Sequence, residues 1–176
     1  MADVEIELPE VHVQPGEIQL VRRPHILRTI LGSCVSVTFW NSRIGIGALC
    51  HGVLPKCPAG VQAPEGFRYL DFAILELLRR IERLGAAPGE LQIKVFGGGD
   101  VLPVRRAIPR KPTIGHLNCQ AALDILRRES LKITAFDLGG NSGRVIQFHT
   151  DTGDVFLKRL STWESQQRKL FAELAS

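Results

Sequence analysis

Two neighbouring runs read as strands: Val35-Ser-Val-Thr-Phe-Trp40, which opens with apolar and polar positions in alternation, and the almost wholly apolar Gly45-Ile-Gly-Ala-Leu-Cys-His51. A period of two is the mark of half-buried strands, and the short polar link between the runs predicts a hairpin. If residues 41–44 form its loop, Trp40 opposes Gly45 and Cys34 opposes His51. Directly opposed residues project from one face with Cβ atoms roughly 4.5–5.5 Å apart. A slip of one residue would put the two on different faces.

The rest of the chain reads in the same way. Val11, Val13, Ile18 and Leu20 flank Pro15-Gly16 and predict an edge hairpin over residues 10–20. Residues 55–66 carry three prolines and two glycines and read as a long loop. Leu70, Ile74, Leu77, Leu78, Ile81 and Leu84 recur at helical spacing, predicting a helix over residues 67–84 that stops at Gly85. Leu91, Ile93 and Val95 alternate as a strand that runs into Gly97-Gly98-Gly99, where the chain must bend or approach something closely. Residues 100–114 read as a basic surface loop. Asn118 is a candidate N-cap for a helix reaching Glu129, with Ala122, Ile125 and Leu126 inward. Residues 131–136 read as a strand, residues 143–149 and 155–160 as a last hairpin, and residues 162–175 as an amphipathic helix. Two long helices with one apolar stripe each must cover a sheet face, so the expected class is α/β with mixed, largely antiparallel sheets.

A chain of 176 residues has room for one domain with a real core. Residues 1–160 are expected to form it, with 161–176 as a helical tail of the same domain. No apolar run approaches the length of a membrane span, and the acidic start Met1-Ala-Asp-Val-Glu-Ile-Glu lacks the layout of a signal peptide, so a cytoplasmic protein without membrane insertion is expected. The net charge of +4 comes from short basic clusters such as Arg22-Arg23 and Arg127-Arg128. No zinc-finger, RNP or helix-turn-helix pattern accompanies them, which argues against nucleic acid.

The four cysteines, Cys34, Cys50, Cys57 and Cys119, form no CxxC pair and are expected to be free thiols. A zinc site on Cys50, His51 and Cys57 has poor ligand spacing, and no metal is expected. Cys34 is the nucleophile candidate, because the predicted pairing gives it an imidazole to take its proton and lower its thiolate pKa. His12, His25, His116 and His149 have no such pairing argument. Thr29 is a candidate for holding the second ring nitrogen, the third role in a triad. Gly32 is expected to permit an unusual backbone angle, with the N–H groups of Ser33 and Cys34 turned toward a developing oxyanion. The competing reading of Cys34 is a small buried core residue.

The Leu31-Gly-Ser-Cys-Val35 segment, with Thr29 before it and His51-Gly-Val-Leu-Pro55 after it, resembles the CheD family of chemoreceptor glutamine deamidases. Tyr69-Leu-Asp-Phe-Ala73, Phe96-Gly-Gly98, Gly115-His-Leu-Asn118, Asp137-Leu-Gly-Gly140 and Gly143-Arg144-Val145 are similar to family segments in the same order. Leu117 stands where the family commonly has Arg, and Gly99-Asp100 where a small-residue continuation is expected. The resemblance implies a layered α/β/β sandwich like that of the Cys–His toxin deamidases. It also implies cofactor-free hydrolysis of glutamine side chains on chemoreceptor helices through a Cys34 thioester, with His51 as base and Thr29 orienting it. A monomer is expected. Alternatives are amine incorporation or proteolysis on the same thioester chemistry, or an adaptor role on a CheC-type phosphatase.

Overall fold

The computed structural model describes residues 7–101 and 111–160. The predicted loop over 100–114 therefore falls largely outside the described residues, and the predicted terminal helix falls wholly outside them.

Two sheets and a helical layer are stacked. Strands β1 (Glu10–His12), β3 (Ile26–Leu31), β8 (Arg144–His149) and β9 (Val155–Arg159) form a four-stranded sheet in the order β1-β3-β8-β9. Strands β2 (Ile18–Val21), β4 (Val35–Asn41), β5 (Ile46–Gly52), β6 (Gln92–Gly97) and β7 (Ile133–Leu138) form a five-stranded sheet in the order β2-β5-β4-β6-β7. Among the described strands, the β1/β3 and β6/β7 pairs are parallel and the others antiparallel. Helices α1 (Leu70–Arg83) and α2 (Ile114–Arg128) cover the outer face of the five-stranded sheet. This is the α/β/β layering expected above.

Alternation along the strands sorts the core into two parts. Val35, Val37 and Phe39 of β4 and Ile46, Ala48 and Cys50 of β5 pack under the helices. The alternate positions, with Leu27 and Leu31 of β3 and Ile146 and Phe148 of β8, fill the space between the sheets. In α1, Leu70, Ile74, Leu77 and Ile81 are completely buried at helical spacing. Truncating Leu77 to Ala there would cost about 2–5 kcal/mol. Gly85, at φ +90°, ends α1: its N–H donates to Glu82 O and the next N–H to Ile81 O.

Three expectations are corrected. Residues 10–20 do not form a hairpin, because β1 and β2 lie in different sheets and residues 13–17 cross between them. The helix at residue 118 begins earlier: Thr113 is the N-cap, its hydroxyl accepting from His116 N–H at 3.2 Å, and Asn118 lies inside α2. The β4/β5 hairpin pairs Trp40 with Gly47 and Ser36 with His51. Asn41 stays in β4, and its Oδ1 accepts from Ile44 N–H at 3.1 Å. That side-chain bond sets the turn one residue later than expected. Register thus moves by two residues, and Cys34, which precedes β4, does not stand opposite His51.

Candidate active site

The site lies between the sheets, at the end of the β4/β5 hairpin. His51 is the second-last residue of β5 and is 1% exposed. Its backbone is clamped by the crossing segment, with His51 N–H donating to Glu17 O and Gly16 N–H donating to His51 O, both at 2.9 Å. Thr29, on β3, points inward from the other sheet. Its Oγ1 is 2.7 Å from His51 Nδ1 and 2.7 Å from the Val13 carbonyl oxygen. A hydroxyl has one proton to give, and a carbonyl can only accept. Thr29 therefore donates to Val13 and accepts from Nδ1–H. The ring is held as the tautomer with a bare Nε2, and that buried atom has no hydrogen-bond partner among the described residues.

Burial lowers the His51 pKa to about 4, against a partial pull upward from the Val13 carbonyl and the Glu17 carboxylate. A neutral imidazole with a free lone pair is the form a general base requires.

Cys34 ends the turn from β3 into β4. It is half-buried and packs against the inter-sheet core. The structure brings Cys34, Thr29 and His51 to one region, and Cys34 and His51 make no hydrogen bond in it. Burial raises the Cys34 pKa, and the bond from its own backbone N–H opposes this only in part. The expected lowering by the imidazole is therefore corrected: a neutral histidine supplies no charge to stabilise a thiolate. The resting pair is thiol and imidazole. Ser36, the residue opposite His51, is completely buried, and its Oγ also has no partner among the described residues.

The turn itself is held from three sides. Gly32 O accepts from Gly99 N–H at 2.8 Å, and Cys34 O accepts from Gly98 N–H at 2.8 Å. Ser33 O accepts from Asn118 Nδ2 at 3.0 Å. Gly32 is not in the left-handed region, so it supplies no unusual backbone angle. That angle belongs to Gly97 and Gly98, at φ +117° and +68°. A Cβ on Gly97 would lie 2.1 Å from Cys34 O, and one on Gly98 would lie 2.1 Å from Cys119 Sγ, so no larger residue fits at either.

Arg144 reaches the same glycine turn from β8. It is completely buried, and Nη1 donates to Gly97 O at 2.7 Å and to Asp137 O at 2.6 Å, while Nη2 donates to Gly139 O. Sequence reasoning takes Asn118 for a helix N-cap and gives neither it nor Arg144 a role in the site. For Asn118 the signal was present: a polar residue on the stripe shared with Ala122 and Ile125.

The remaining cysteines are placed elsewhere. Cys50 faces the helical core, and burial raises its pKa to about 12. Cys57 lies in the loop before α1, away from Cys50 and His51 in the core, and no cluster of metal-ligating side chains occurs among the described residues. A surface cavity of about 400 Å³ lies on the outer face of the four-stranded sheet, lined by Arg28, Ile30, Gln147 and Phe156. Arg28 and Ile30 alternate with Thr29 on β3, so this cavity is on the far side of the sheet from the site.

Residues 53–159 match the model of a family described as CheD, CheD chemotactic sensory transduction. The chain is 39% identical over 159 residues to the probable chemoreceptor glutamine deamidase CheD 2 of Geobacter sulfurreducens, covering 90% of this chain and 95% of that protein. It is 38% identical over 153 residues to the probable chemoreceptor glutamine deamidase CheD of Pseudomonas savastanoi, covering 87% and 86%. For the protein of the same description from Maridesulfovibrio salexigens the figures are 37% over 159 residues, covering 88% and 94%. A crystal structure of the hypothetical protein YfiH from Bacillus licheniformis superposes with a TM-score of 0.41 at 13% identity, over 80% of this chain and 61% of that one, too weak a likeness to argue from. With a family match over more than half its length and relatives aligned nearly end to end, this chain belongs to the CheD family.

Proposed function

We propose that this protein hydrolyses glutamine side-chain amides on chemoreceptors to glutamate and ammonia, with Cys34 as nucleophile, His51 as general base and Thr29 as the residue that orients it. The observation carrying the site assignment is the 2.7 Å Thr29–His51 bond, which leaves Nε2 bare in the space between the sheets against which Cys34 packs.

The chemistry runs as follows. His51 Nε2 takes the Cys34 proton as Sγ attacks the carboxamide carbon, and the carbonyl oxygen becomes an oxyanion received by the N–H groups of Ser33 and Cys34. The imidazolium gives that proton to the departing amine, which leaves as ammonia, and a thioester remains. His51 then takes a proton from water as its oxygen attacks the thioester. Collapse breaks the C–S bond, releases glutamate and returns the proton to sulfur. Every proton passes through one ring nitrogen, so no cofactor enters. Each turnover places one negative charge on a receptor helix, enough to alter packing against its neighbours.

The protein acts in this scheme as a cytoplasmic monomer, and association with a CheC-type phosphatase is a further proposed contact. The deciding experiment is mass spectrometry of a receptor cytoplasmic fragment incubated with the protein. A Gln-to-Glu conversion, absent with Cys34→Ala, is the expected result. An unmodified receptor would overturn the assignment. Incorporation of an added amine in place of water would make the enzyme a transglutaminase instead.

A further inference from the structure

We infer that Asn118 is a positioning residue for this reaction, one that aims the Cys34 peptide N–H at the oxyanion and ties the nucleophile turn to the strand carrying His51. The inference rests on the deamidase reading above and goes beyond it.

Asn118 is completely buried inside α2. Asparagine is a mediocre helix former, and a buried amide without partners is costly. Both hydrogens of Nδ2 are used, one on Ser33 O at 3.0 Å and one on Val53 O at 2.9 Å. Ser33 precedes the nucleophile, and Val53 follows His51 by two residues. One side chain therefore fixes the spacing of the two segments whose side chains must cooperate.

Orientation follows from peptide geometry. The Ser33–Cys34 peptide is trans, so its C=O and N–H point in opposite directions. Holding Ser33 O toward α2 turns Cys34 N–H away from the helix. The flanking carbonyls of Gly32 and Cys34 are held by Gly99 and Gly98. Three successive carbonyls are thus anchored, while the N–H groups of Ser33 and Cys34 donate to no backbone acceptor among the described residues, and the Cys34 N–H faces only its own thiol. A turn with fixed carbonyls and free N–H groups is a preorganised anion receptor.

The test is steady-state ammonia release from a receptor fragment by the full chain, with parallel iodoacetamide labelling of Cys34. Asn118→Ala should lower kcat by about 10²–10³, the range for losing an oxyanion donor, with KM within about twofold. Cys34 labelling should stay within about threefold, because alkylation builds no oxyanion. A merely structural residue would depress kcat and labelling together. Asn118→Asp supplies a second reading: its carboxylate faces two carbonyls, and its protonated form can donate to one of them. Its kcat relative to wild type should rise as pH falls from about 8 to about 5. Undiminished kcat in Asn118→Ala, or equal losses of kcat and labelling, overturns the inference. If Asn118→Ala does not fold, a pH-independent ratio for Asn118→Asp overturns it. A wild-type protein that releases no ammonia overturns the deamidase reading itself, and this inference with it.

Discussion

Thr29 and His51 sit on different sheets, and the 2.7 Å bond between Oγ1 and Nδ1 joins them across the interior. Because the same hydroxyl donates to Val13 O, the bond has a direction, and the direction selects the tautomer. Thr29→Val keeps the shape and removes both bonds. It should lower kcat by about 10- to 100-fold, as loss of a ring-orienting partner does elsewhere. Thr29→Ser should keep most of the activity, since the hydroxyl remains. Steady-state kinetics of the two variants decide it, and equal rates for both would remove Thr29 from the site.

The depressed His51 pKa sets the acid behaviour. With the ring neutral down to about pH 4, the acid limb of kcat/KM should lie near 4 and well below the ordinary 6.5. The same shift is a stability statement. Between about 4 and 6.5 the unfolded chain binds a proton that the folded ring refuses, so stability rises with pH across that window. The contribution is complete above 6.5 and is lost as pH falls to 4, a difference of roughly 3 kcal/mol. His51→Gln does not titrate there. Urea unfolding of both proteins from pH 4 to 8 should show the wild type losing stability relative to the variant on acidification. Parallel curves would mean that the ring is not held neutral.

Much of this arrangement was legible in the sequence where local pattern decides structure. The two strand-like runs of β4 and β5 with a short link between them announced the hairpin, and the stripe from Leu70 to Ile81 announced α1. What stayed hidden depends on single side chains and long-range partners. Asn41 moves the hairpin turn by its own side-chain bond, which alternation does not encode. β1 and β2 are too short to announce that they belong to different sheets. Arg144 looks like one more basic residue until β8 places it under three carbonyls of the Gly97 and Gly139 turns.

The raised Cys34 pKa changes what thiol chemistry should look like. An activated thiolate would give an alkylation rate that levels off below about pH 8.5. Here burial raises the thiol, so the Cys34 rate should keep climbing beyond pH 9. Cys50, raised to about 12 and completely buried, should stay unlabelled in the folded protein. Site-resolved labelling with limiting iodoacetamide across a pH series reads both. A plateau below pH 8.5 that disappears in His51→Ala would show a preformed ion pair, contrary to the thiol–imidazole resting state.

Arg144 carries the last prediction. Its guanidinium is completely buried, and besides three carbonyls it meets Asp137 Oδ1 at 3.2 Å from Nη1. Arg159, on β9, holds the other oxygen of that carboxylate from the solvent side. Arg144→Met fills the volume and strands the carbonyls of Gly97, Asp137 and Gly139 together with a partly buried carboxylate. Breaking a buried pair from one side costs about 3–5 kcal/mol. Arg144→Lys keeps the charge, yet an ammonium cannot span acceptors on two separate turns as a planar fork does. It should recover less than about half of the loss. Arg159→Ala should cost less than about 1 kcal/mol, because its side chain is largely exposed. The Gly97 carbonyl belongs to the turn that packs on Cys34 O, so Arg144→Met should also lower kcat at temperatures where it remains folded. Urea unfolding of the three variants, with ammonia release measured below each midpoint, gives the result. Equal stability for Arg144→Met and wild type would show that these carbonyls find other partners and that Arg144 does not hold the glycine turn in place.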